Sequence, residues 1–247
     1  MSSKIQRIPA FIVIAALVLA VASYVFYTYG RAMWVPVYQK VVGRQTVSEV
    51  LETIGPRTRR HWQEQFAAAG LSYPPQRLTF LAVKDTALLE VWAGEPGAAT
   101  FITSYPIQKL SGRRGPKLRE GDRQVPEGIY SISGLNPNSS YHLSMKLNYP
   151  NAFDLQHANA EGRSQPGTNI FIHGKAVSVG CLAMGDPAIE ELFVLVADTR
   201  YSNVSVVVAP EDPRLGTLTV ESEHAWVPQL YSDITREFLK YPIPGGT

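Results

Sequence analysis

Two short stretches carry residue types that can do chemistry together. Ile170-Phe171-Ile172-His173-Gly174 is an apolar run ending in histidine, and Val177-Ser178-Val179-Gly180-Cys181 brings the single cysteine eight residues after it. A thiol becomes a nucleophile once a base takes its proton. A neutral imidazole can take that proton and later return it to a leaving amine. Gly180 lets the backbone turn tightly, so that nearby amides can face an oxyanion. With His173 as its base, Cys181 should react faster than a free thiol at neutral pH. The plainer reading keeps Cys181 as a small buried hydrophobe. Nothing forms the Gly-x-Ser-x-Gly elbow of serine hydrolases. A zinc site has no second cysteine and no His-Glu-x-x-His string to rest on.

The elements that must position this pair read as a mostly β domain with a few helices, an α+β class. Strands are expected over 78–83, 87–92, 100–105, 128–133, 141–147, 169–173 and 203–209, with a turn at Lys84-Asp85-Thr86. Residues 110–126 read as a polar loop rich in Gly, Arg and Lys. Asp186-Pro187 starts a helix as N-cap and first-turn proline, followed by Ile189, Leu192, Phe193 and Val196 at helical spacing. Residues 46–70 are helical in pattern, broken at Gly55-Pro56 and stopped at Gly70, and residues 31–46 read as a linker. Arg57, Arg59 and Arg60 form a solvated face or a contact with anionic wall or lipid. A tail helix is expected over 229–239. His142 lies on the polar face of its strand and either lines the site or is simply exposed. His157 and His224 are read as loop residues.

The 247 residues hold 23 Lys+Arg and 21 Asp+Glu. Lys4 and Arg7 account for the excess, so the body is neutral, which argues against nucleic acid as a partner. From Ile8 to Tyr29 the chain is uncharged and apolar, about 33 Å as a helix and enough to cross a membrane core. Basic residues ahead of the run place the body outside the cytoplasmic membrane. The run is read as an uncleaved anchor, with cleavage after Ala22 (in Ala20-Val21-Ala22) and a buried core helix as alternatives. No cysteine lies near it, so the N-terminus is not lipid-modified.

The segment from His173 to Met184 resembles the His-Gly…Ser-x-Gly-Cys signature of the YkuD-type L,D-transpeptidases. It is most similar to their YafK-like branch, through the short His-to-Cys gap and Ser-Val-Gly-Cys-Leu-Ala-Met. Gly115 to Tyr130 resembles that branch's form of the Thr-Pro-x-Gly loop, and Lys146-Leu147-Asn148-Tyr149-Pro150-Asn151-Ala152-Phe153-Asp154 the segment before the histidine. The resemblance implies a YkuD-like β-sandwich with Cys181 as nucleophile and His173 as base. It implies a Gly174 carbonyl orienting the ring, and Ser178 and Gly180 shaping the turn. Two positions depart from the family pattern. Ala183 stands where many members have Arg, and Val179 where many have His. Arg113, Arg114, Lys117 or Arg119 is the candidate substitute for the missing substrate-carboxylate contact, the alternative being that these are solvated loop charges.

The implied organisation is an anchor over 1–30, a linker and helical segment over 31–72, a catalytic domain over 73–210, and a tail over 211–247 packing on it. The implied reaction is acyl transfer on peptidoglycan stem peptides at meso-diaminopimelate, through a Cys181 thioester, in the periplasm. No cofactor is needed. The acceptor is open: a second stem, the lysine of a lipoprotein, or water, the last releasing such a lipoprotein. A reading from a different class is a non-catalytic, membrane-anchored wall-binding module.

Overall fold

The structure is a computed structural model and describes residues 10–219 and 222–245. Lys4, Arg7 and the first residues of the apolar run lie outside them. The chain divides into two compact units, one up to Arg44 and one from Gln45 onward.

The first unit is two helices. α1 (Ala10–Tyr29) holds a stretch, Phe11–Tyr29, long and apolar enough to cross a membrane, a property a signal sequence shares. α2 (Arg31–Val42) occupies the segment expected to be a linker. Its start is tied by local contacts: the Trp34 indole stacks on Tyr27 at 5.3 Å, its Nε1 donates to the Tyr27 carbonyl, and Arg31 lies over both rings. Pro36 lies inside α2 and removes one hydrogen bond of its ladder.

The second unit is a mixed α+β domain. α3 (Val47–Ala68) begins at a capping box between Thr46 and Glu49. It runs unbroken through Gly55-Pro56, against expectation. A mid-helix proline costs about 3 kcal/mol, and here tertiary contacts offset it. Trp62 and Phe66 are fully buried, the Trp62 Nε1 donates to the Glu191 carbonyl, and Arg59 grips Asp198 with two hydrogen bonds. Arg57 pairs with Glu190, so two of the three arginines read as a solvated face bind the neighbouring helix.

Eight strands follow: β1 (Leu78–Val83), β2 (Leu88–Ala93), β3 (Thr100–Pro106), β4 (Gly128–Ser139), β5 (His142–Leu147), β6 (Phe171–His173), β7 (Leu182–Ala183) and β8 (Val204–Ala209). They form one sheet in the order β3-β2-β1-β8-β4-β5-β6-β7. β1–β8 and β6–β7 are parallel, and the other pairs antiparallel. β4 is longer than expected because it serves two partners. Gly128 to Ser131 pair with β8, and Ile132 to Ser139 with β5, across two register shifts. The sheet curls at this change of partner.

Both faces of β1 are covered, which is why all six of its residues are buried. Leu78, Phe80 and Ala82 join the larger core with α3 and α5 (Asp186–Thr199). Leu81 and Val83 join a second core with α6 (Val227–Phe238), through Leu230, Ile234 and Phe238. α4 (Ala152–Ala160), capped by Asn151, was not legible in the pattern; it carries His157, which is therefore on a helix and not in a loop. At α5 the N-cap is Gly185 instead of Asp186. The Asp186 carboxylate is turned back to accept from the Lys175 backbone N–H and to pair with the Lys175 Nζ, which pins the loop after His173.

Candidate active site

β6 lies between β5 and β7, and the pleat decides what it presents. Ser144 pairs with His173, and Ile172 pairs with Leu182 in the parallel β6–β7 ladder. Extending that register by one residue sets Cys181 beside Phe171. Alternation then sends Met145, Ile172 and Leu182 into the core, all fully buried, and Ser144, Phe171, His173 and Cys181 to the other face. Those four residues line one cleft of about 330 Å³ with Asn136, Ser139, Tyr141, Asn169, Val177 and Val179.

His173 is buried, and its Nδ1 lies 2.6 Å from the Gly174 carbonyl. A carbonyl only accepts, so Nδ1 carries the proton and Nε2 is left bare as the acceptor. The Tyr141 ring lies 4.9 Å from the imidazole. Gly174 is required here by close approach: a Cβ would fall 2.7 Å from the Tyr141 carbonyl and 2.8 Å from Asp186 Oδ1. Burial pushes the imidazole's pKa down, partly opposed by the bond to Gly174. Burial pushes the Cys181 thiol up, against a Phe171 backbone hydrogen bond and the Lys117 charge. Both directions favour the neutral partners at rest. The sequence predicts a thiol more reactive than a free one, whereas burial here favours its protonated form.

The cysteine turn is built by hydroxyls. Gly180 N donates to Ser111 Oγ at 2.6 Å, Ser111 and Ser178 Oγ are 3.2 Å apart, and Ser178 Oγ donates to the Cys181 carbonyl at 2.6 Å. Ser178 also accepts from the Cys181 N–H at 3.2 Å. The Gly180 and Cys181 amides are therefore engaged by serines, not free for an oxyanion, in this resting arrangement. Gly180 sits at φ +99°, where a Cβ would lie 3.3 Å from the Gln124 carbonyl. No local sequence pattern singles out Ser111. It lies 69 residues from Ser178, in a loop whose composition marks only charge.

That loop is firmly held. Lys84 Nζ, buried, bonds Glu127 at 2.8 Å and the Arg113 carbonyl at 2.6 Å. Glu127 also accepts from the Gly115 N–H and the Tyr231 hydroxyl, and Val125 N donates to the Ser111 carbonyl. The charged residues expected near Cys181 lie elsewhere. Lys117 is buried against Asp122 and the Arg119 carbonyl. Arg113, Arg114 and Arg119 line a different cleft, which shares no residue with the first. His142 is not on the cleft wall; its Nε2 lies 2.8 Å from Glu190 Oε1. Ala183 is fully buried and bridged in both directions to the Lys109 backbone, so position 183 offers no surface to a substrate. Val179, by contrast, is an exposed apolar side chain on the cleft wall. Among the described residues no group of three or more His, Cys, Asp or Glu could hold a metal ion.

A protonatable nitrogen, a thiol and a concave wall in one cleft suit acyl transfer through a thioester. The chain is 36% identical over 115 residues to YafK of Escherichia coli (strain K12), a stretch covering 46% of this chain and 44% of YafK. It thus spans less than half the length of the curated relatives it matches. Among solved structures, the helical cell shape determining protein Pgp2 from Campylobacter jejuni is 20% identical with a TM-score of 0.45, covering 64% of this chain and 54% of that one. L,D-transpeptidase 1 of Mycobacterium tuberculosis is 14% identical with a TM-score of 0.32, covering 54% and 62%. Residues 76–211, more than half of the chain, match the family described as the L,D-transpeptidase catalytic domain, YkuD. The chain therefore belongs to the YkuD family of L,D-transpeptidase catalytic domains.

Proposed function

We propose that this chain is a cysteine acyltransferase of peptidoglycan. In this reading Cys181 attacks the carbonyl of the third stem residue, meso-diaminopimelate, as His173 Nε2 takes the thiol proton. The proton then passes to the departing amine, and a thioester remains on Cys181. The observation that carries the reading is the common cleft of Cys181 and His173, with Nδ1 committed to Gly174 and Nε2 bare. A wall-binding module would need neither residue. In this reading the domain lies outside the cytoplasmic membrane on an α1 anchor, supported by Arg31, Tyr27 and Trp34, residue types suited to the membrane–water interface.

The test is incubation of the full chain, in detergent, with peptidoglycan that carries lipoprotein, read by mass spectrometry of protein and products. An acyl adduct on Cys181 is expected, absent in Cys181→Ala and strongly reduced in His173→Ala. No adduct under turnover or trapping would overturn the reading. Dimers joined between third residues mark transfer, and free lipoprotein with tripeptide stems marks hydrolysis.

A further inference from the structure

The loop arginines line a cleft of about 1020 Å³ formed with residues 162–165 and 222–224. Arg113, Arg114, Arg119 and Arg163 line it together with Asp122 and Glu223. Asp122 is already neutralised by Lys117 and accepts from the Leu118, Arg119 and Gln124 amides. Arg114 is paired with Glu211, and Arg163 with Glu161 and the Leu118 carbonyl. The Arg113 and Arg119 side chains are exposed and have no partner among the described residues. Their backbone is fixed through Lys84, Gln124 and Asp122, so binding has only the two side chains left to order.

We propose that this arginine cleft is a second binding site, for a carboxylate-bearing peptide segment of the peptidoglycan substrate beyond the residue that reaches Cys181. The planar guanidinium fork matches a carboxylate. Ser164 and Gln165 on the same wall supply a hydroxyl and a carboxamide as hydrogen-bonding partners. The concave shape suits a strand better than a flat anionic membrane surface. The cleft adjoins the catalytic turn: Gln124 lines it, and a Cβ at Gly180 would lie 3.3 Å from the Gln124 carbonyl. The nature of the ligand rests on the peptidoglycan reading above, but its detection does not depend on Cys181.

The experiment uses the full-length Cys181→Ala chain in detergent micelles at low ionic strength. The probe is an N-terminally dye-labelled L-Ala-γ-D-Glu-meso-diaminopimelate-D-Ala peptide, followed by fluorescence anisotropy. Arg113→Gln combined with Arg119→Gln should weaken binding at least about tenfold, the size of a charge-assisted contact. The same peptide with amidated carboxylates should bind the unsubstituted arginine cleft as weakly, an arm that needs no arginine variant to fold. Equal affinity for the double variant, or for the amidated peptide, would overturn the proposal. So would loss of binding to phosphatidylglycerol vesicles in the double variant with peptide binding unchanged, which would make the cleft a lipid contact. Wild-type protein that binds through the arginines yet is never acylated would sink the catalytic reading alone. Acylation with arginine-independent binding would sink this proposal alone.

Discussion

The serine relay behind Cys181 can be weighed by removing one hydroxyl. Ser178→Ala deletes three contacts: the 2.6 Å donation to the Cys181 carbonyl, the 3.2 Å bond from the Cys181 N–H, and the 3.2 Å contact with Ser111. Net hydrogen bonds contribute about 0.5–1.5 kcal/mol each. The turn is only part-buried, so water recovers some of the loss, and about 2 kcal/mol is expected. For a body of this size that corresponds to roughly 4–8 °C in melting temperature. Ser111→Ala removes the acceptor of the Gly180 N–H and should cost about 1–2 kcal/mol by the same reasoning. Because the two hydroxyls act in one chain, the double variant should fall short of the sum of the singles by about 1 kcal/mol. Thermal melts of the full chain in detergent give the stability terms. On the proposed function, the rate of Cys181 acylation, followed by intact mass, should drop about ten- to a hundredfold in either single variant as the thiol loses its placement. A Ser178→Ala melt within about 1 °C of wild type, with additive singles and an unchanged acylation rate, would show that the relay does nothing.

Burial raises the Cys181 thiol and lowers the His173 imidazole; iodoacetamide labelling of Cys181 at pH 7 should therefore be slower than that of free cysteine and keep rising above the ordinary thiol range. Fast labelling with a plateau below pH 7 would instead reveal a resting thiolate–imidazolium pair. Asp154, mostly buried beside Tyr130, titrates near pH 6 in the fold, above its ordinary value. A raised carboxyl stabilises fully below the unfolded value and loses that contribution as pH rises through 6, so the wild-type melt should decline between about pH 4 and pH 7 by a component missing in Asp154→Asn; identical profiles would refute it. Gly180→Ala should destabilise by about 1–3 kcal/mol, because an alanine at φ +99° is strained and its Cβ presses on the Gln124 carbonyl; a melt equal to wild type would count against a fixed turn. A reporter active only in the cytoplasm, fused after the last residue, should be silent, and activity there would reverse the proposed orientation.

The strand spans, the apolar N-terminal helix and the candidate pair were legible because they rest on local rules. Leu78–Val83 and Phe171–His173 are short apolar runs bounded by turn residues, and a lone cysteine eight residues from a histidine stands out in any composition. Local rules also misled. Gly55-Pro56 and the segment 31–42 carry helix-breaking signals, yet both are helical; at α3 the indole of Trp62 and the ion pair of Arg59 with Asp198 supply what propensity withholds. Asp186 has the right type for an N-cap, but Lys175 claims its carboxylate. The charge of the 110–126 loop was plain in the sequence, but not its direction. Whether those arginines face Cys181 depends on how Lys84, Glu127 and Tyr231, far apart in the chain, clamp the loop, and they turn it to a separate cleft. Ser111 shows the same limit. A residue type can say what chemistry is available, and spacing can say which side chains share one strand face. Only the pairing of β5, β6 and β7 could set Ser144, His173 and Cys181 on one wall, and only a contact 69 residues long could bring Ser111 behind it, because such contacts form when burial of the whole sheet outweighs the entropy of closing the loops between them.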